Sequence, residues 1–139
     1  MKEDIQKSIK GIIGVIALAT IIAVFDGCET EYEQIYREAE NLNYTVLGEN
    51  DFSFNGRKRI SIYIYSPYAV TKTEKINVSK KAALDMHRKT LADFIDIRLE
   101  AKSTNYGKSD VKVVVEYAPD FCGISGNDCT GSQWEIKTY

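Results

Sequence analysis

Apolar positions along the chain follow three successive patterns. Residues 11–25, GIIGVIALATIIAVF, form an uncharged run behind the charged decapeptide MKEDIQKSIK. Between Glu29 and Asn43 the period becomes helical: Tyr32, Ile35, Tyr36, Ala39 and Leu42 recur at steps of three and four, with Glu31, Glu33, Arg37, Glu38 and Glu40 between them. Thr30 followed by Glu33 reads as the capping box that opens this amphipathic helix. Beyond Asn43 the dominant period is two. YTVLGEN predicts a short strand, and Asn55-Gly56 predicts a tight turn between apolar residues. Residues 58–66, KRISIYIYS, alternate cleanly, with Ile60, Ile62 and Ile64 on one face and Arg59, Ser61, Tyr63 and Tyr65 on the other. Pro67 stops that strand.

Ser79 reads as the cap of a helix running to about Thr90, its apolar face built from Ala83 and Met86 with Ala82 or Thr90. The preceding TKTEKINV can add a turn of helix. Period two returns in DFIDIRLEA, which sets Ile95, Ile97 and Leu99 against Asp96, Arg98 and Glu100. It continues in VKVVVEYA, where Val111, Val113, Val115 and Tyr117 share a face and Pro119 ends the strand. QWEIKTY predicts a last strand with Trp134 and Ile136 inward and Glu135 and Lys137 outward. Strands with one apolar and one polar side suit a largely antiparallel or mixed sheet, with helices on one face and water on the other. The expected fold is therefore α+β: about five strands covered on one face by one or two helices. Residues 1–28 are expected as a signal or anchor segment, 29–43 as a helix and 44–139 as the domain. KSTNYGKSD, between two strands, is the loop expected to be mobile.

The length permits little more than this. Of 139 residues about 110 follow the apolar segment, enough for one small core. Eighteen Lys and Arg against 20 Asp and Glu leave a net charge of −2, so no general phosphate-binding surface exists and a nucleic-acid partner is not expected. The apolar run spans about 22 Å as a helix, short of a bilayer core of roughly 30 Å. A cleaved signal and a retained signal anchor both remain open. The lysines before the run and Glu29, Glu31 and Glu33 after it suit an anchor with its amino end in the cytoplasm. Cys28 adds a third reading, since bacterial lipoproteins are cut before a cysteine that then receives lipid. Gly27 and Cys28 fit such a site, whereas Phe25 and Asp26 do not. A buried helix of a soluble domain is disfavoured by the lack of a polar stripe.

Cys122 and Cys129 bracket the turn-rich GISGND, so a disulfide within this loop is expected, leaving Cys28 for lipid or as a free thiol. One histidine and two cysteines with six residues between them do not make a metal site, and no cofactor is expected. His87 reads as an exposed helix residue. Asp96 and Glu100 resemble a carboxylate pair but read better as charges on a solvated strand face. The glycine-rich GISGNDCTG lacks the Gly-Lys-Ser/Thr ending of a phosphate loop. Arg59, Tyr63, Tyr65 and Tyr68 remain as a candidate binding surface, because tyrosine and arginine are enriched at interfaces; the alternative is that a helix covers this face too and the tyrosines are core.

The succession ISIYIYSPYAVTKTE, AALDMHRKTLADFIDIRL, VEYAPDFCGISG and a terminal Trp-Glu-Ile strand resembles a small uncharacterised domain family of bacteria and their phages. Its most specific part is Tyr117-Ala118-Pro119-Asp120 with the glycine loop that follows. The resemblance implies an α+β domain over about residues 44–139 and an envelope or secreted setting, with no activity or catalytic residue to carry over. The functional expectation is a tethered, non-catalytic domain on the outer side of a bacterial membrane. It would be held by residues 11–25 or by lipid on Cys28, and would bind another protein through its open sheet face or its disulfide loop. Two alternatives are a subunit of a membrane complex, packed through Gly11, Gly14, Ala19 and Ala23, and a small envelope enzyme or inhibitor using Asp120, Asp128 or His87.

Overall fold

The computed structural model describes residues 29–101, 111–129 and 131–139. The expected anchor, Cys28 and the whole KSTNYGKSD loop lie outside the described residues. No helix among the described residues is long and apolar enough to cross a membrane. The chain divides into two units, Met1–Gln34 and Ile35–Tyr139.

The elements run α1 (Glu31–Glu38), β1 (Thr45–Asp51), β2 (Arg59–Tyr65), α2 (Lys72–Thr90), β3 (Phe94–Glu100), β4 (Val111–Tyr117) and β5 (Trp134–Thr138). They form a small α+β domain whose five strands lie in sequence order, β1-β2-β3-β4-β5. Three neighbouring pairs are antiparallel and β2–β3 is parallel. The parallel pair follows from its connection: a 19-residue helix carries the chain from one end of β2 back to its start. Asn55 and Gly56 both take positive φ, 51° and 73°, between the bridged residues Phe54 and Arg57. This is the geometry for which Asn-Gly is favoured in hairpins.

The reciprocal Thr30–Glu33 cap opens α1, each backbone N–H donating to the other's side chain. The helix ends at Glu38, short of the expected Asn43. Its last turn tightens as Glu40 and Leu42 donate to the carbonyls of Arg37 and Ala39. The larger correction concerns α2, which starts a full two turns before Ser79. Its cap is Thr71, whose hydroxyl accepts from Glu74 N while Glu74 accepts from the backbone of Thr71 and Val70. Ser79 lies fully buried inside the helix, donating to the Lys75 carbonyl. The expected end at Thr90 is observed. Leu91 closes the helix in the left-handed region, its N–H on the His87 carbonyl.

One buried cluster takes in Ile60, Ile62 and Ile64 of β2, Ile95, Ile97 and Leu99 of β3, and Val113, Val115 and Tyr117 of β4. It also holds Val78, Ala82, Ala83, Leu84 and Met86 of α2, with Ile35, Ala39 and Leu42 from the segment around α1. The small alanines let α2 approach the sheet, against which it lies over β3 and β4. Tyr36 and Tyr44 tie the chain before β1 to α2, their hydroxyls donating to the two oxygens of Asp85 at 2.7 and 2.6 Å. At the edge the alternation weakens: Trp134 stacks on Tyr117, but Ile136, expected inward, is 40% exposed, since among the described residues β5 pairs only with β4.

The opposite face of the sheet is not the solvated surface that alternation suggested. Asp96 and Glu100 are 5% and 3% exposed. Both belong to β3, the middle strand, with β2 and β4 on either side. Ser61 and the Arg98 guanidinium both bond Asp96 Oδ2, at 3.3 and 2.9 Å, while the buried Oδ1 accepts no hydrogen bond. Phe94, on the same face, is buried edge-to-face with Phe52.

Candidate functional site at the loop end of the sheet

Two connections meet where β2 and β3 begin and β4 ends. One is the β1–β2 turn at Phe54–Arg57, and the other is the loop from Pro119 to Gln133. They are joined through Arg57. Its guanidinium grips Asp120 with two bonds, Nη1 to Oδ2 at 2.7 Å and Nη2 to Oδ1 at 3.1 Å. Nη2 also donates to the carbonyls of Gly123, at 2.6 Å, and Asp93, at 3.3 Å. Gly126 has positive φ, and a Cβ there would stand 3.0 Å from Arg57 Cδ, so the arginine stem lies directly against the loop backbone. Asp120 also accepts from Cys122 N. Chiefly the Arg57 bond holds the Asp120 carboxyl below its ordinary range.

Cys122 and Cys129 sit with their sulfurs at bonding distance, as their spacing suggested. The loop is thus fastened twice, to itself by sulfur and to the hairpin by arginine. On this support Phe121 and Ile124 are 46% and 50% exposed, and Phe54 on the hairpin is 64% exposed. Such side chains are unusual on mobile loops, but here their backbone is fixed.

Two grooves flank Ser125. The first, about 380 Å³, runs between the loop and the polar sheet face and is lined by Phe94, Glu116, Phe121, Ile124, Asp128, Trp134 and Glu135, among others. The second, about 390 Å³, is more polar and is lined by the hairpin, Arg57, Arg59, Asp93 and Asn127. Register places Asp96, Glu116 and Glu135 side by side across β3, β4 and β5. Arg98, Val114 and Lys137 form the next row. Lys137 Nζ reaches back to Glu116 and Glu135 at 3.2 and 3.4 Å. Burial nevertheless pushes the Glu116 carboxyl above its ordinary range, Lys137 opposing and Glu135 adding to the rise.

The candidates read from sequence fare unevenly. Arg59 lines the second groove, while Tyr65 lines a different groove beside Pro67 and Glu100, at the far end of β2. Tyr63 is half-buried with the Arg98 guanidinium over its ring, and Tyr68 is exposed. The four do not converge on one cavity. His87, expected on the surface, is half-buried: its Nδ1 is 3.1 Å from the Ala92 carbonyl and its ring stands edge-on to Tyr117. Asp120 is occupied by Arg57, and Asp128 lines the first groove. No group of three or more metal-ligating side chains occurs among the described residues. Neither Arg57 nor Glu116 is conspicuous in the sequence, since Asp120 and Lys137, their partners, lie 63 and 21 positions away.

Comparison with known proteins agrees with this fold. A domain of unknown function, DUF4875, matches residues 39–139, well over half of the chain. The chain belongs to the DUF4875 family. The loop that carries Asp120 and the cysteine pair, and the hairpin that carries Arg57, both lie inside the DUF4875 region. No curated protein matches the sequence. A crystal structure of a DUF487 family protein from Desulfovibrio piger is similar, with a TM-score of 0.57 and 22% identity over 66% of this chain. The DUF4875 chain spans 59% of that protein's chain, and the likeness is one of fold.

Proposed function

We propose that this chain is a membrane-tethered, extracytoplasmic interaction domain of the bacterial envelope that binds another protein and performs no catalysis. Residues 11–25, or lipid on Cys28, provide the tether. The reading rests above all on the twice-fastened loop end, where apolar side chains are held out to solvent on rigid backbone. Interfaces commonly bind through a few such anchors, and a pre-ordered loop loses little entropy on association. The cysteine pair supports an oxidising compartment, where a short-loop disulfide persists. The tethering is supported by the uncharged run of residues 11–25.

The test is photo-crosslinking in cells that carry the full chain, with benzoylphenylalanine at Phe121 or Ile124 and, as a control, at the exposed Lys89 of α2. A discrete adduct with one other protein from the loop positions but not from position 89 is expected. Absence of any adduct from both Phe121 and Ile124 would remove the loop end as the binding surface.

A further inference from the structure

The two edges of the sheet differ. β1 carries a bulge between Val46 and Gly48, and its charges, Glu49 and Asp51, are both acidic. A bulge and charges of one sign discourage an edge from pairing with its like. β5 keeps an unbroken register with β4 from Trp134 to Thr138, and among the described residues it pairs with no other strand. Its charges are of both signs, Glu135 and Lys137, one on either side of Ile136.

Backbone bonds to β4 fix which groups of β5 point outward. Gln133 accepts from Ala118 N, and Tyr139 N donates to the Lys112 carbonyl. In an antiparallel strand alternate residues turn both N–H and C=O to the same neighbour. Residues 133, 135, 137 and 139 therefore face β4, and Trp134, Ile136 and Thr138 turn theirs to the open side. An antiparallel copy of β5 can meet those outward groups in registers that differ by the residue on the two-fold axis. With Glu135 on the axis two carboxylates oppose each other, and with Lys137 there two ammonium groups do. With Ile136 on the axis, Glu135 of each copy stands opposite Lys137 of the other. Unlike charges directly opposite stabilise a strand pair and like charges destabilise it, so one register is selected. Glu135 and Lys137 then form the non-hydrogen-bonded type of pair, in which side chains are closer.

The same register suits both faces of the sheet. On the polar face, Asp96, Glu116 and Glu135 stand opposite one another on three adjacent strands, and Lys137 of the second copy would come next in that row. Lys137 of the same chain reaches Glu116 and Glu135 from the adjoining row. The Glu135 side chain is 64% exposed, however, so its carboxylate keeps acceptor sites for a second lysine. On the other face, Ile62, Ile97, Val115 and Ile136 form one apolar row, of which only the last is exposed. Ile136 of the second copy would cover it.

We propose that two copies of this chain join through β5, antiparallel about a two-fold axis at Ile136, into one sheet that runs from β1 of one copy to β1 of the other. A two-fold contact of this kind closes on itself and yields dimers rather than fibres. Such a dimer goes beyond the interaction reading above and does not depend on it.

The experiment measures the protein mass of the full chain in a density-matched mild detergent by sedimentation equilibrium over a concentration series. A reversible doubling of mass is expected. Ile136→Lys, at an exposed position, sets two like charges on the axis and should weaken association at least about tenfold while circular dichroism shows the fold intact. Glu135→Lys and Lys137→Glu, each alone, oppose like charges twice across the axis and should also weaken it about tenfold. Mixing those two variants makes every cross-axis pair unlike and should restore the dimer. A single mass at every concentration would overturn the proposal. So would a dimer that Ile136→Lys leaves intact, which would place the contact elsewhere in the chain, or a mixture that associates no more tightly than either variant alone.

Discussion

Replacing Arg57 by alanine should release the loop end without touching the main core. Three contributions set the size of the effect. The pair with Asp120 is bidentate, but Asp120 is nearly half exposed, so its share is about 0.5–1 kcal/mol. The bonds to the Gly123 and Asp93 carbonyls come from a guanidinium with an 11% exposed side chain, and the shorter contributes about 1 kcal/mol, the longer less. Loss of the stem packed against Gly126 adds roughly 0.5–1 kcal/mol. The sum is about 2–3 kcal/mol, equivalent to a fall in Tm of about 10–20 °C for a domain near 100 residues. Thermal unfolding followed by circular dichroism measures the total. A cycle with Asp120→Ala isolates the ion pair, whose coupling should be about 0.5–1 kcal/mol. Hydrogen exchange should rise first in residues 121–126. A change below about 0.5 kcal/mol, with exchange in the loop unaltered, would refute the claim that Arg57 fastens it.

Asp85→Ala should cost about 2 kcal/mol in urea unfolding, because it leaves the half-buried hydroxyls of Tyr36 and Tyr44 without their acceptor; an unchanged midpoint would contradict this. Burial, reinforced by the bond to Asp85, pushes the Tyr36 phenol up to about 12, and Tyr44 moves the same way. A folded pKa above the unfolded one means that the phenols' contribution is complete below the ordinary tyrosine range and is lost as pH rises toward the folded value. Stability should therefore fall between about pH 10 and 12 in the native sequence and fall less when both residues are Phe. The Asp120 shift has the opposite sense: its carboxyl is depressed, so its contribution is present above the ordinary carboxylate pKa and is lost as acid protonates the folded group. Arg57→Ala should flatten stability against pH at that acid end. Glu116→Gln should leave Tm at neutral pH unchanged or higher, because burial already opposes its charge; a clear drop would contradict this.

Alternation made β2 legible almost to the residue, and the Asn55-Gly56 turn declared itself because few other pairs accept two positive φ values. The parallel β2–β3 pair departs from the largely antiparallel sheet that alternation suggests, because alternation carries no strand direction. The start of α2 is obscured in the sequence because Ser79 is a good cap in isolation. The true cap, Thr71 with Glu74, was present three residues apart but preceded a stretch with little apolar periodicity. Alternation also assigns a face, not a depth. Asp96 and Arg98 share a face of β3, yet one side chain is 7% exposed and the other 42%. The candidate site was less legible still. Arg57 and Asp120 are 63 positions apart, and only the fold aligns β4 and β5 so that Glu116 meets Glu135. The cysteine pair was readable because its spacing is local.

The measurement that bears most directly on the account is the intact mass of the full chain purified from cell membranes, with thiols alkylated before and after reduction. The expected result is a chain that is either full length or begins at Cys28 with acyl mass added, in which Cys122 and Cys129 take up label only after reduction. Cys122 and Cys129 alkylated without reduction, on a chain recovered from the soluble fraction, would contradict both the tether and the oxidising compartment, and with them the proposed role.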